Sequence, residues 1–539
     1  MIVCLQPTVK IQKTSVSDMG VYLLRYRFFI LCFIFFVLML LQTVNGQWTG
    51  DFWEHCAVNR ELATHPFSPK HPILLLDAPH SLYSPYALGI ALISRITGWD
   101  SVTTLSMVGI ANLCFFLFSL RLFISLLFSE DRDAASFYAL LFILCLWGMS
   151  QYSASGFFNL LSISYTLPYP STFAVSLTFM TLAMWIRLVR DGHRLWIVPI
   201  AGMSAIVLLT HPLTCIFMTV GLLAITVAEQ PRVGIDLWLM MLVFATSLLG
   251  AAVWPYFPFF RMALFDSLYH GELNAWSSCF FQAVPWRLGP ALIGVPVIIW
   301  RMRENWRDPL GLMFAMLVVV YAWAAIFQQW TYGRMLSYIV LTLQITLGAL
   351  VARLESKLNY KRLSVPIQQG VYCLIIVFFC LASSAWYIPH ILQRCVPGSS
   401  GISGLASLSK FVPQYDVVIS DFATELLIPT FSGKIVASSH PLAFVLDHDQ
   451  RRKDVKDFFS TKSDHETRLA IVRKYGCRHI FVSKENSSFR EILRTFLPLS
   501  SIAYEDKDFV LLSSATHFTR PDSSGNVTFD RTGSSTFKE

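Results

Sequence analysis

Charged residues are scarce in this sequence. They make up 14% of the 539 residues, whereas 54% are hydrophobic, and the mean hydropathy is +0.53. Soluble globular proteins carry about 25% charged residues, so this composition excludes an ordinary soluble protein. Lipid must solvate much of the surface, and the sequence predicts a protein that crosses a membrane several times.

Two further absences narrow the possibilities. No Cys-x-x-Cys pair occurs and most of the 11 cysteines lie in apolar runs, so neither a disulfide framework nor a zinc ribbon is expected. No glycine-rich phosphate loop occurs, because Gly401-Ile-Ser-Gly404 lacks a flanking strand. The net charge is +8, but Lys and Arg fall in small groups between apolar runs, so we expect no nucleic-acid partner.

The N-terminus lacks a cleavage site for a signal peptidase. Basic residues precede an apolar run from Phe28 to about Val44, as in a signal peptide, but no small-residue site follows at residues 45–48. We therefore expect residues 1–27 to be a cytoplasmic N-terminus and the apolar run to be an uncleaved anchor.

Eleven apolar runs are counted as membrane spans. After the anchor they lie near residues 103–127, 134–152, 170–188, 195–210, 213–228, 235–254, 287–300, 310–327, 335–352 and 370–388. Basic residues fall in alternate loops, which satisfies the positive-inside rule five times in succession. The sequence thus predicts an α-helical polytopic protein of the inner (plasma) membrane, with a transmembrane domain over 28–388 and everything after it outside the cytoplasm.

One apolar segment, Leu82 to Ile96, is left out of this count. It is short, contains Pro85 near its start and ends close to Arg95 and Gly98. Counting it as a span would invert every later loop. We expect an interfacial or re-entrant helix inside an extracytoplasmic loop over 45–100.

From about residue 400 the residue pattern becomes that of a soluble domain. Short apolar alternations predict strands near 415–420, 434–437, 478–483 and 509–513, with helices near 450–460, 465–475 and 488–496 between them. We expect a small extracytoplasmic α/β domain over 400–515. The tail over 516–539 is rich in Ser, Gly and Thr and is expected to be disordered.

The loop over 45–100 concentrates the ionisable residues of the outer face. Within about thirty residues it contains Asp51, Glu54, His55, Arg60, Glu61, His65, His71, Asp77 and His80. Ionisable groups at a membrane boundary cost free energy unless they are paired or used, so this cluster is the first candidate for a functional site.

Two interpretations of Asp51 remain open from the residues alone. Asp51 followed three residues later by Glu54 is a capping-box pattern at a helix N-terminus. The same carboxylate, fixed at the start of a helix, is also a well-oriented general base.

Histidines offer a metal site or a structural role. Glu61 and His65 lie four residues apart on one helix face, and with His55 they could hold a divalent cation. The alternative is an interfacial amphipathic helix whose polar face meets water. His71 and His80, each beside a proline, either fix loop turns or contact a ligand.

Arg334 is the most informative candidate elsewhere in the chain. It lies in the sequence QQWTYGR at an outer turn, where the positive-inside rule disfavours arginine, and it could clamp a phosphate with two hydrogen bonds. An arginine that reaches to the interface is the alternative. His211, before Pro212, lies at another outer turn.

The arrangement resembles the GT-C superfamily of integral-membrane glycosyltransferases, which includes the protein O-mannosyltransferases and the lipid A aminoarabinose transferases. The resemblance covers most of the chain. It depends on the acidic opening of the first outer loop (Gly50 to His55), the HPxxPxHP string (His65 to Pro72), the Tyr-Gly-Arg turn that ends at Arg334 and the outer C-terminal domain. An adjacent Asp-Glu pair, typical of the mannosyltransferases, is absent.

The resemblance implies a transfer reaction at the extracytoplasmic face. The sugar donor would be linked to polyprenyl phosphate. Asp51 would be the general base, with Glu54 as its substitute or as a metal partner, and Arg334 would bind the donor phosphate with His55. Further substrate contacts are assigned to Arg60, His71, His80, Tyr83 and His211, and a possible divalent metal ion to Glu61 and His65. The acceptor, a lipid, a glycan or a protein, stays open.

Three other functions remain open. A flippase or transporter for a lipid-linked sugar would need charged groups at mid-membrane depth. A nonenzymatic assembly protein of the cell envelope would only present the C-terminal domain to a partner. A polymerase or ligase of surface polysaccharide would use nearly the same chemistry as the transferase.

Overall fold

The computed structural model describes most of the chain, namely residues 16–46, 48–148, 152, 154–229, 233–358, 365–396, 405–514 and 518. Residues 1–15 of the predicted N-terminal segment, the Gly401-Gly404 stretch and, apart from Phe518, the predicted tail lie outside these described residues.

The chain divides into two compact units. The helical unit comprises Met1–Pro72, Asp77–Ser400 and Pro441–Val445, and the α/β unit comprises Ile73–Leu76, Gly401–His440 and Leu446–Glu539. A short segment over 73–76 thus belongs to the α/β unit, and a short segment over 441–445 belongs to the helical unit.

Apolar runs with helix-forming residues produce the elements of the helical unit. Its α-helices are α1 Val16–Val44, α2 Phe52–Thr64, α3 Pro85–Thr97, α4 Ser101–Leu127, α5 Arg132–Cys145, α6 Leu160–Thr166, α7 Pro170–Asp191, α8 Ile197–Thr210, α9 Pro212–Glu229, α10 Val233–Ala252, α11 Ser267–Ser277, α12 Val284–Leu288, α13 Gly294–Glu304, α14 Pro309–Ile326, α15 Met335–Ser356, α16 Val365–Ser384 and α17 Ile388–Arg394. Short 3-10 turns cover Arg194–Trp196, Ser278–Phe281, Gly289–Ile293 and Trp330–Arg334.

Fewer helices qualify as membrane spans by length than the sequence predicts. Among the described residues, seven are long and apolar enough, and an eighth span results if the pair Tyr269–Phe281 and Val284–Glu304, bent by 75°, is counted as one. The other three predicted spans coincide with shorter helices: α5, Arg194–Thr210 and Asp236–Ala252. Helix is therefore present at every predicted span, while length and composition alone support up to eight crossings instead of eleven.

The core of the helical unit forms where α5 meets α15. Gly348 allows this contact, because a Cβ atom there would lie 2.5 Å from the backbone nitrogen of Ala139. At another helix contact the Trp185 indole donates to the Thr226 hydroxyl (3.0 Å), and a buried ion pair of 2.7 Å joins Arg27 on α1 to Glu355 on α15.

Helix α3 accounts for the apolar segment that was left out of the span count. It has 13 residues, begins at a Ser84 cap that accepts a hydrogen bond from the Ala87 backbone, and ends at Gly98 in the left-handed conformation (φ 72°). Its length of about 20 Å is too short to cross a bilayer. Ile90 is buried against the protein, whereas the apolar side chains of Leu92, Ile93 and Ile96 are exposed, so the helix leaves an apolar face uncovered.

The α/β unit contains one five-stranded sheet. Its strands are β1 Val417–Ser420, β2 Lys434–Ile435, β3 His479–Ser483, β4 Ser501–Glu505 and β5 Phe509–Ser513, and its helices are α18 Leu427–Phe431, α19 His448–Phe458, α20 His465–Lys474 and α21 Phe489–Phe496. The strand order is β2-β1-β3-β5-β4, with β1 parallel to β2 and β3, and β5 antiparallel to β3 and β4. The four predicted strands and three predicted helices are present, whereas β4 and α18 were not predicted.

The edge of this sheet beside β2 is extended by a segment of the loop between α2 and α3. Leu74 pairs with Ile435 in a parallel bridge, and the Ile435 N–H donates to the Ile73 carbonyl (2.9 Å). An edge strand of only two residues would otherwise leave its backbone groups open to pairing with other chains. Residues 73–76 therefore complete the sheet.

Candidate active site

Asp51 lies directly before α2, in the turn that follows α1. Gly50 has a left-handed φ of +64°, which glycine adopts without strain, and this turns the chain into the helix. The exposed Asp51 side chain makes no capping hydrogen bond. The capping interpretation is therefore not realised, and the carboxylate is oriented by something other than the helix amides.

Tyr169 lies against this acidic turn. Its hydroxyl donates to the Thr49 carbonyl (3.4 Å), and its ring centroid is 5.0 Å from that of His55. Burial and, to a lesser extent, the Asp51 charge raise the pKa of the Tyr169 hydroxyl well above its ordinary value. The start of α7 thus fixes an aromatic wall beside Asp51 and His55.

Arg334 carries a positive charge without a counter-ion. It ends the 3-10 turn before α15, with its guanidinium 5.1 Å from the Trp276 ring centroid and 5.8 Å from that of Phe280. Its Nε is buried, and it makes no hydrogen bond or ion pair with any residue that the structure describes. Its charge interacts with that of Asp51 over a longer distance. A half-buried guanidinium without an ion pair among the described residues is suited to receive an anion.

His211 lies between α8 and α9, outside both helices. The Thr214 backbone N–H donates to its Nδ1 (3.3 Å), and the Thr214 hydroxyl lies 2.7 Å from both that Nδ1 and the Tyr338 hydroxyl. Burial, together with the nearby Arg334 charge, lowers the pKa of His211 to about 3. The imidazole is therefore neutral, and because Nδ1 accepts, Nε2 carries the hydrogen and can donate it.

Glu54 faces a different set of partners from Asp51. Its Oε1 lies 3.4 Å from His80 Nε2, and both side chains are buried. Because the Leu82 N–H donates to His80 Nδ1 (3.4 Å), the remaining ring hydrogen is on Nε2 and points to the carboxylate. His71 packs edge-on against His80 at 4.8 Å. The second acidic residue thus belongs to a buried histidine cluster inside the loop.

Three further residues of the candidate cluster, Glu61, His65 and Tyr83, contact other residues of the same region of the chain. Glu61 is fully buried, accepts the Lys70 N–H (3.2 Å) and lies 3.5 Å from His65 Nδ1, as the four-residue spacing predicts. The Tyr83 hydroxyl donates to the Lys70 carbonyl. Arg60 is half-buried on α2.

The predicted three-ligand metal group is not formed. Within the described parts of the chain, no group of three or more His, Cys, Asp or Glu side chains is arranged to hold a metal ion, so His55 does not join Glu61 and His65. His55 instead lines a cavity of about 10 Å³, together with the buried Asn59. This volume accommodates about one water molecule.

Two residues of this region escaped the sequence-based search. Tyr169 is flanked by prolines and carries no charge, so only its contact with the Asp51 turn identifies it. Arg287, by contrast, lies just before an apolar run on the predicted outer side, and the positive-inside argument that identified Arg334 applies to it equally.

Comparison with known proteins gives a fold match without a sequence match. No family model and no curated protein matches the chain. ArnT from Cupriavidus metallidurans in the apo state aligns with a TM-score of 0.51 and 11% identity, covering 94% of this chain and 100% of that one. The same protein bound to undecaprenyl phosphate aligns with a TM-score of 0.52 and 12% identity, covering 92% and 99%. The chain thus has the fold of ArnT, and the predicted fold of an α-helical polytopic membrane protein with a small C-terminal α/β domain is confirmed.

Proposed function

We propose that this protein is a membrane glycosyltransferase that moves a sugar from a polyprenyl-phosphate-linked donor to an acceptor. The observation that carries the proposal is the Arg334 guanidinium, which makes no hydrogen bond or ion pair with the described residues, while its charge interacts with that of Asp51 over a longer distance. The fold of ArnT, one of whose structures holds undecaprenyl phosphate, supports the class of donor.

Asp51 acts as the general base in this proposal. The acceptor hydroxyl or amine transfers its proton to the Asp51 carboxylate while its oxygen or nitrogen bonds to the anomeric carbon of the sugar. The exposed position of Asp51 at the start of α2 supports this role, because an incoming acceptor can reach its carboxylate.

Arg334 stabilises the leaving group. As the bond between the anomeric carbon and the phosphate oxygen breaks, its electron pair passes to the phosphate, whose negative charge grows. A guanidinium that is already placed and desolvated favours this charge without reorganisation. His211, kept neutral by burial, offers an Nε2 hydrogen to a donor oxygen without adding charge.

The remaining candidates separate into two groups in this scheme. His55 stays beside Asp51 and contacts the donor, whereas Glu54, His71, His80 and Tyr83 keep the first loop in shape and reach substrate only through it. Arg60 is assigned to the acceptor side. A divalent metal at Glu61 and His65 would need ligands from substrate or water, since those two side chains offer only two protein ligands.

We further propose that the reaction takes place at the extracytoplasmic face. The basic loops predict a cytoplasmic N-terminus and an extracytoplasmic C-terminal domain. A donor that already faces outward also explains a chemistry without a nucleotide-binding loop.

The test uses the purified full-length chain in liposomes that contain polyprenyl-phosphate-linked sugars and a mixed extract of cell-envelope lipids and glycans. We expect sugar transfer with release of polyprenyl phosphate. Arg334→Gln should slow release by about 10²- to 10³-fold, the usual effect of removing one group that stabilises a developing anion. Arg303→Gln, which alters an exposed arginine of α13, is the matched control.

The alternatives give different results in the same assay. A flippase moves the intact donor across the bilayer without releasing polyprenyl phosphate, and an assembly protein does neither. Release at the wild-type rate by Arg334→Gln contradicts the role of that residue.

A further inference from the structure

Arg287 is a second arginine at the same end of the helical unit. It belongs to the one-turn helix α12, which lies between two left-handed residues, Ala283 (φ 52°) and Gly289 (φ 48°). The Gly148 N–H donates to the Arg287 carbonyl (3.0 Å), and a Cβ atom on Gly148 would lie 1.8 Å from the Trp286 carbonyl oxygen. The backbone that carries Arg287 is therefore held in one position.

The charge of Arg287 has no counter-ion among the residues that the structure describes. Its guanidinium lies 4.2 Å from the Tyr152 ring centroid, its Nε is buried, and it makes neither a hydrogen bond nor an ion pair. The Tyr152 hydroxyl bonds to the Phe280 and Gln282 carbonyls (3.2 and 3.3 Å), so the ring is fixed too. A buried guanidinium nitrogen without an acceptor is costly, and such a group calls for a ligand.

Arg287 and Arg334 share one aromatic cluster. Arg287 stacks on Tyr152, Tyr152 packs against Phe280 at 5.4 Å, and Phe280 in turn packs against Arg334. Both positive charges act on the Cys279 thiol, which lies next to Phe280. Two like charges that share one aromatic cluster, neither in an ion pair with a described residue, repel each other, and a bound anion would reduce this repulsion.

We propose that Arg287 binds a second oxyanion, a phosphate or carboxylate group, beside the donor phosphate assigned to Arg334. The proposal depends on the proposed function only for the identity of the first anion. The second anion is either the additional phosphate of a polyprenyl diphosphate carrier or an anionic group of the acceptor. Both are recognised by the same guanidinium chemistry.

Equilibrium binding to the detergent-solubilised full-length chain tests this inference. The ligands are farnesyl phosphate, farnesyl diphosphate and, in the presence of saturating farnesyl phosphate, radiolabelled inorganic phosphate. Each is measured with the wild type, Arg287→Gln, Arg287→Lys and the control Arg303→Gln. Losing a hydrogen bond to a charged group weakens binding by about ten- to a hundredfold.

Two results support the proposal and identify the source of the anion. If Arg287→Gln weakens farnesyl diphosphate by that factor and leaves farnesyl phosphate unchanged, the oxyanion belongs to the carrier. If it weakens only inorganic phosphate, the oxyanion belongs to another molecule. Arg287→Lys should lose less, because it keeps the charge, and it serves as the test if the Gln variant misfolds.

Equal binding of all three ligands to Arg287→Gln and Arg303→Gln overturns the inference. Failure of the proposed function appears differently: farnesyl phosphate then does not bind even the wild type. The inorganic phosphate titration, repeated without farnesyl phosphate, still tests Arg287 in that case.

Discussion

Replacing Asp51 by alanine separates a catalytic carboxylate from a structural one. Asp100 provides the matched comparison, because it also precedes a helix but does cap it. Its carboxylate accepts the N–H groups of Val102 (2.9 Å) and Thr103 (3.0 Å) at the start of α4. The Asp51 side chain makes no such bond. The two substitutions thus remove a carboxylate from a position where it caps a helix and from one where it does not.

The structure sets the size of each effect. Loss of a cap costs about 1 kcal/mol, which makes local opening about fivefold more frequent. We therefore expect about fivefold faster amide exchange at Val102 and Thr103 in Asp100→Ala, and less than about a twofold change at Trp53 and Glu54 in Asp51→Ala. Transfer activity should behave in the opposite way, because a positioned general base contributes about 10²- to 10⁴-fold.

The assay combines hydrogen–deuterium exchange of the full-length protein with the liposome transfer reaction. Asp51→Ala should keep normal exchange and lose at least about 99% of its transfer rate, whereas Asp100→Ala should do the reverse. If Asp51→Ala exchanges rapidly at the start of α2 and still transfers sugar at the normal rate, Asp51 is a cap and the catalytic assignment is refuted.

Three other perturbations have defined outcomes. His80→Ala removes the imidazole donor of the buried Glu54 carboxylate and should lower the stability of the loop between α2 and α3 by about 1–3 kcal/mol. Faster proteolysis of that loop measures the loss. Glu54→Gln in the His80→Ala background should restore part of it. Burial raises the pKa of Glu425 to about 7 from an ordinary value of 4.5, so in this pH range the native state binds a proton that the unfolded state has lost. The stability of the α/β unit should therefore fall as the pH rises from about 4.5 to 7. Amide exchange of that unit at several pH values measures this dependence, and Glu425→Gln should abolish it. Gly348→Ala should force α15 away from the α5 backbone and lower the melting temperature, because overpacking costs about 1–3 kcal/mol, whereas Gly370→Ala, which has open space, should not; equal melting temperatures would contradict the close-packing argument.

Local sequence patterns account for much of the fold. Apolar runs locate a helix at every predicted span, and the alternations after residue 400 locate four of the five strands. Strand β4, Ser501–Glu505, was not predicted from the sequence. It lies at a sheet edge, is largely exposed and has no continuous apolar face. Some helix lengths were not predicted, because hydropathy continues through breaks such as the one after Cys145, where the backbone at Leu146 leaves the helical conformation.

The candidate site was predictable only in part. Spacing along one helix correctly joined Glu61 to His65, since that contact is local. The contact between Thr214 and Tyr338 joins residues 124 positions apart, and no periodicity reports it. Asp51 faces Tyr169, whereas Glu54 faces His80. This difference likewise depends on how separate loops pack, which no local pattern in the sequence reports.

The bridge between Leu74 and Ile435 can form only late in the synthesis of the chain. Residue 74 leaves the ribosome about 360 residues before its partner, which at about 5–20 residues per second is a delay of roughly 20–70 s. During that time the segment over 73–76 has no strand to pair with, although the helices around it can already form. Translation must therefore pass β2 before the segment over 73–76 can pair with it. A chain truncated before that point lacks the strand with which this segment pairs.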